Sequence, residues 1–153
     1  MAKPAITECG VLPQGIHEMT RNDVRALFGD HGHRAELWSK FDGFIERLSS
    51  TAAIPLSIYL DGSFITAWGS CRDIDVILEA RDFECGHIET LKMLVDSQVR
   101  REFLDDFGVK LHIYVPGLKN RDLQWFQRVK PEEAWRFGNE IGRLQKGIVR
   151  LSL

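Results

Sequence analysis

The chain is poor in the residues that staple a fold or anchor it in a bilayer. It has three cysteines, Cys9, Cys71 and Cys85, an odd number at wide spacings with no C-x-x-C pair. Neither a disulfide framework nor a cysteine-based zinc site is therefore expected, only reduced thiols. No run of roughly 18 apolar residues occurs, so no membrane-spanning helix and no membrane partner are expected. The opening Met-Ala-Lys-Pro-Ala-Ile-Thr-Glu-Cys-Gly lacks the apolar stretch of a secretory signal, which points to a cytoplasmic location. The absence of any Pro, Gly or Ser tract argues against a fibrous or disordered chain.

What is present suits one packed domain spanning residues 1–153. At 153 residues with 44% apolar content, the chain fills a single core of ordinary size, and two full-sized domains do not fit. The net charge of −2 conceals an asymmetry: up to Asp96 there are 9 Lys/Arg against 15 Asp/Glu, and beyond it 11 against 7. An acidic first part suits cations and a basic remainder suits phosphate-rich substrates, although a mixed solvated surface explains the same counts.

Gly10, Pro13 and Gly15 predict an extended arm over residues 1–19. Thr20 with Asp23 then makes a capping arrangement for a helix from Arg21 to Phe28, closed by Gly29. The stripe Leu37, Trp38, Phe41, Phe44, Ile45, Leu48 predicts a second helix ending near Ser50. Ile54 to Leu60 reads as a buried strand stopped by Asp61-Gly62, and Ile74 to Leu78 as another, with a short helix or loop between. Ile88, Leu91, Leu94, Val95, Val99 and Phe103 predict one further helix, followed by a strand from Val109 to Val115. Asp122 to Val129 and Glu132 to Leu144 are expected to be helical, and Gly147 to Leu153 an edge strand. This order makes a mixed α/β (α+β) domain, a central sheet flanked by helices.

One stretch carries chemistry. Gly62-Ser63 after a strand lets the backbone turn closely around an anion, with amides and the Ser63 hydroxyl as donors where a helix is expected to begin. Asp73 and Asp75 alternate with Ile74 and Val76, so both carboxylates leave one face of a strand. Like charges this close repel, and a divalent cation is the natural means of keeping both ionised. A plain turn and a solvated strand edge are the competing readings of the two parts.

The combination resembles the signature of the polymerase-beta-like nucleotidyltransferase superfamily: an apolar residue, Gly, Gly or Ser, a spacer of about ten residues, then Asp, apolar, Asp or Glu. The chain is also similar to a small group of bacterial nucleotidyltransferase-like proteins. Leu12-Pro13-Gln14-Gly15-Ile16-His17-Glu18-Met19-Thr20 matches their opening, Leu60-Asp61-Gly62-Ser63-Phe64-Ile65-Thr66 their core, and Lys146-Gly147-Ile148-Val149 their end. The resemblance implies a single-domain nucleotidyltransferase fold that moves a nucleoside monophosphate from a nucleoside triphosphate to an acceptor and releases pyrophosphate. It implies nucleotide binding by Gly62, Ser63, Thr66 and Arg72, and Mg²⁺ or Mn²⁺ held by Asp73 and Asp75. The acceptor is left open among protein, nucleic acid and small molecule, and a partner protein or second copy is an expected source of acceptor recognition.

The superfamily commonly draws a third carboxylate from the next strand, and the alternation of Leu111-His112-Ile113-Tyr114 places His112 there. Histidine is a poor Mg²⁺ ligand, yet it binds Mn²⁺ or Zn²⁺ and can act as a base near neutral pH, so His112 is expected on the Asp73–Asp75 face as a metal ligand or a catalytic base. The rival expectation is a degenerate nucleotidyltransferase fold that binds a nucleotide or partner in a phage-defence or toxin–antitoxin system. Several residues carry two readings: Arg72 contacts phosphate or pairs with a carboxylate, and Trp68 stacks on a base or packs. His31 and His33 read as an exposed helix start rather than a metal pair, and His17 as a hydrogen bond fixing the arm.

Overall fold

Thr20 is where an extended strand gives way to a helix. In a computed structural model, which describes residues 3–51, 56–69, 71–83, 86–117, 123–132 and 145–153, its backbone is extended and its hydroxyl accepts from the Asp23 N–H at 3.2 Å, while the Asp23 carboxylate accepts from the Thr20 N–H. The box satisfies donors that a first turn leaves without partners. Strand β1 (Ile16–Thr20) thus runs straight into α1 (Arg21–Phe28), and α2 (Gly32–Thr51) follows the Gly29 cap. All six apolar residues of the α2 stripe are buried.

The remaining elements are β2 (Ile58–Asp61), β3 (Ile74–Glu79), α3 (Ile88–Val95), α4 (Ser97–Phe107), β4 (Val109–Tyr114) and β5 (Ile148–Ser152). They form one mixed five-stranded sheet in the order β1-β5-β2-β3-β4. β1 pairs parallel with β5 and β3 with β4, while β2 is antiparallel to both of its neighbours. Alternation then sorts the side chains. Ile58, Leu60, Ile74, Val76, Leu78, Val109, Leu111, Val149 and Leu151 join Phe28, Phe41, Phe44, Leu94 and Phe103 of the helices in one core. Each such side chain, fully buried, contributes about 1.5–3 kcal/mol. Tyr59, Ile77 and Ile148 face the other way and meet Phe126.

Several expectations need correction. The single helix from Ile88 to Phe103 is two, because Asp96 is extended (φ −60°, ψ 132°) and its carboxylate accepts from the N–H groups of Gln98 and Val99, capping α4. An apolar stripe reports burial period and passes over a break that leaves the period intact. β5 lies inside the sheet rather than at its edge, and the edge position is taken by the arm's own Ile16–Thr20. The strand expected from Ile54 pairs only over Ile58–Asp61; Leu56 and Ser57 precede it, and Ile54 lies outside the described residues. The strand expected to Val115 ends at Tyr114. The helix expected over Asp122–Val129 is a single 3₁₀ turn, Trp125–Gln127, among the described residues. The helix expected over Glu132–Leu144 lies outside them beyond its first residue, as does Cys85. Cys9 and Cys71 are free thiols. No helix of the described residues is long and apolar enough to cross a membrane.

Candidate active site at the β2–β3 connection

The chain leaves β2 at Asp61 and returns into β3 at Ile74, and the connection between them carries most of the sequence-predicted site. Gly62 adopts φ +80°, a conformation that side-chain-bearing residues rarely enter, and a Cβ there would run into the Asp75 carboxylate. Glycine at this position thus leaves room for the Asp75 carboxylate to lie close against the turn. One 3₁₀ turn, Ser63–Ile65, follows where a short helix or loop is expected.

Cross-strand register brings the acidic residues together. Asp61 stands opposite Asp75 across β2 and β3, with Lys110 beside Asp75 on β4. His112 lies on that same face. Its Nε2 donates to Asp75 Oδ1 at 2.8 Å, and the two side chains retain 23% and 19% exposure, enough for a small molecule's reactive group to reach them. Because an ionised carboxylate only accepts, the bond places the proton on Nε2 and leaves Nδ1 as the basic nitrogen of the neutral ring. Phe126 packs edge-on against the imidazole, ring centroids 5.5 Å apart. Asp73 precedes β3 and is partly buried. Burial first, and then the Asp75 charge, push its carboxyl above the ordinary carboxylate value, against the pull of Lys110, His112 and Arg72.

The other expected ligands divide. Ser63 is half-buried at the turn and Arg72 is exposed beside Asp73. Thr66 points inward: it is 1% exposed, its hydroxyl donates to Ser63 O at 2.6 Å and accepts from the Trp68 N–H at 3.2 Å. It shapes the loop and has no surface to offer a nucleotide. Trp68 packs, 7% exposed, with Nε1 donating to Cys9 O. His31 and His33 are exposed, and His17 Nε2 meets Pro13 O at 2.7 Å, fixing the arm.

Three residues that the sequence reading left without a role complete the site. Lys146 is buried and ion-paired with Asp61. Burial draws the ammonium down to about 7, and the Asp61 carboxylate in direct contact favours its charged form. Gly147 next to it is required, since a Cβ there would strike Pro13 O and the His17 ring. Its N–H bonds to Leu12 O at 2.9 Å, so the opening and closing segments of the resemblance meet in space. Arg34, from the first turn of α2, donates to Ser63 O, Phe64 O and Trp68 O and clamps the loop from behind. Lys146 and Asp61 carried a signal, because both stand in the quoted segments; a lone arginine early in a helix carries none.

Among the described residues no group of three or more His, Cys, Asp or Glu side chains is arranged to hold a metal ion. Two carboxylates nevertheless suit Mg²⁺, which takes one or two from the protein and fills its shell with water and substrate phosphates. Burial and the neighbouring Asp75 charge both disfavour an ionised Asp73, Lys110, His112 and Arg72 offset this in part, and a divalent cation would favour the ionised pair further.

Fold and site together define a mixed α/β domain with a carboxylate–imidazole cluster at the connection of two antiparallel strands. The chain belongs to DUF6932, a family of unknown function, whose match covers residues 4–152. Neither a curated protein nor a solved structure matches it.

Proposed function

We propose that the protein is a metal-dependent nucleotidyltransferase that moves a nucleoside monophosphate from a nucleoside triphosphate to an acceptor hydroxyl. The observation that carries the reading is the shared face of Asp75 and His112, bonded at 2.8 Å beside the Gly62-Ser63 turn. The resemblance of that segment to polymerase-beta-like nucleotidyltransferases supports it.

In this reading Ser63 and Arg72 receive the triphosphate, and Asp73 and Asp75 hold Mg²⁺ or Mn²⁺. The metal, when bound, offsets phosphate charge and orients the α-phosphorus. Asp75 fixes the His112 tautomer, and Nδ1 takes the proton of the acceptor hydroxyl as its oxygen bonds to the α-phosphorus and the bond to pyrophosphate breaks. Lys146 offsets the Asp61 charge, so that three carboxylates do not stand together unbalanced. The acceptor is a protein, a nucleic acid or a small molecule, and the setting is the cytoplasm.

A second reading, a degenerate fold that binds a nucleotide or a partner protein in a defence or toxin–antitoxin system, is favoured by one observation: His112 stands where a third carboxylate is common in the superfamily. Incubation with each α-labelled nucleoside triphosphate and Mg²⁺ or Mn²⁺ separates the two. The enzyme transfers label, releases pyrophosphate, and slows by about two to four orders of magnitude in His112→Ala, the range for loss of a general base. A degenerate fold shows no transfer in the wild type, and recovery of transfer in His112→Asp.

A further inference from the structure

We infer that Arg34 is a positioning residue for nucleotide binding, holding the loop 62–69 in the backbone path from which Ser63 and the loop amides reach phosphate. The inference rests on the nucleotidyltransferase reading and adds to it the group that shapes the phosphate-binding loop.

Arg34 reaches four carbonyl oxygens: Phe64 at 2.5 Å, Trp68 at 2.6 Å, Ser63 at 3.2 Å and Phe28 at 3.4 Å. Three of them belong to one loop, and the fourth ties that loop to the end of α1. The guanidinium lies over the Phe64 ring, 5.5 Å from its centroid, and that ring stacks on Trp38 at 5.8 Å and 8°. Arginine is thus held on one side by carbonyls and on the other by an aromatic pair from the core.

The consequence follows from peptide geometry. In a planar trans peptide the C=O and the next N–H point in opposite directions. Drawing the Ser63 and Trp68 carbonyls onto Arg34 therefore turns the N–H groups of Phe64 and Gly69 to the other side of the loop, away from the cation. The arm secures the middle, with the Ala67 N–H bonded to Gly10 O at 2.7 Å. A loop ordered before its ligand arrives loses less entropy on binding. Lysine, a single ammonium on a flexible stem, keeps the charge and loses the planar fork that spans three carbonyls.

The test uses inorganic tripolyphosphate with Mg²⁺, which needs no choice of base, on wild type, Arg34→Lys and Ile45→Val. The last trims the core on the same helix and lowers melting temperature without touching the loop. Calorimetry should show tripolyphosphate binding to wild type, the same affinity in Ile45→Val, and an affinity weaker by about tenfold or more in folded Arg34→Lys, the scale of losing charge-assisted hydrogen bonds. In ¹⁵N spectra of the wild type the probe should move the amides of Ser63, Phe64 and Gly69. If folded Arg34→Lys binds as tightly as wild type, the Arg34 role is wrong and the phosphate site stands. If wild type binds no tripolyphosphate, the nucleotidyltransferase reading fails with it. Should Arg34→Lys not fold, the wild-type amide shifts decide alone: shifts confined to residues outside the loop overturn the proposal.

Discussion

The two faces of the sheet are made by alternate residues of the same strands, and they solve opposite problems. On the helix-covered face, Ile74, Val76 and Leu78 of β3 and Val109 and Leu111 of β4 pack against α2 and α4. On the other, the same strands present Asp75, Glu79, Lys110 and His112 around a smaller apolar cluster that includes Ile77 and Phe126. Apolar packing is non-directional, so that face depends on volume and closeness of fit. The polar face depends on pairing: Asp75 has His112, Asp61 has Lys146, and the buried Glu79 has Arg81. Removing bulk damages the first face, whereas removing one partner damages the second, since a buried charge left alone costs more than the pair contributed.

The largest expected effect is on the packing face. Phe44 is fully buried and meets Phe103 edge-on at 5.3 Å, so Phe44→Ala should lose about 3–5 kcal/mol in urea unfolding. The imidazole signals of His112 should stay as in wild type, because nothing on the polar face has moved; a change there would show that the faces are coupled.

Next comes the Asp61–Lys146 pair. Lys146→Met should cost about 3 kcal/mol by leaving Asp61 without its cation, and the Asp61→Asn/Lys146→Met double variant should regain most of that. Additive losses in the double variant would mean that the two do not act as a pair.

Gly62→Ala should be milder overall but pointed in its damage. The positive φ and the clash with Asp75 predict a loss of about 1–3 kcal/mol together with a shifted His112 signal. Gly69→Ala, where a Cβ meets nothing within 4 Å, should change neither.

The smallest effect is a gain. A carboxyl raised above its unfolded value binds its proton more tightly when folded, so its contribution to stability is complete below the ordinary value of 3.8 and lost as pH rises through the folded value. Ionised Asp73 therefore opposes folding at neutral pH. Asp73→Asn should stabilise the protein at pH 7 by less than about 1 kcal/mol, solvent screening keeping the effect small, and the advantage should fade as pH falls toward 3.8. A gain that persists at pH 3 would mean the asparagine helps by packing alone.

How much of this was legible in the chain divides by distance along it. The α2 stripe, the Thr20 box and the β3 alternation are readable because cause and effect lie within a few residues. The break at Asp96 is local too, and its capping carboxylate could have been read; the unbroken apolar period masked it. The inward turn of Thr66 is not legible in the chain, because a hydroxyl in a motif does not announce which way it points. Its partners, Ser63 O and the Trp68 N–H, appear only once the loop has closed.

By itself, then, the sequence determined what each strand shows to its two sides and where the chain must turn: the 2.0-residue period places Asp75 opposite Val76, and Gly62 marks the point where no side chain fits. It also put His112 on the polar side of β4. Only the tertiary structure decided which residues meet. β3 and β4 are joined through two helices, and their parallel register sets His112 against Asp75. β5 arrives from the far end of the chain between β1 and β2, bringing Lys146 onto Asp61 and burying a strand that local pattern placed at an edge. Alternation is a property of one strand's backbone, whereas register and strand order minimise the free energy of the whole core, to which every helix contributes.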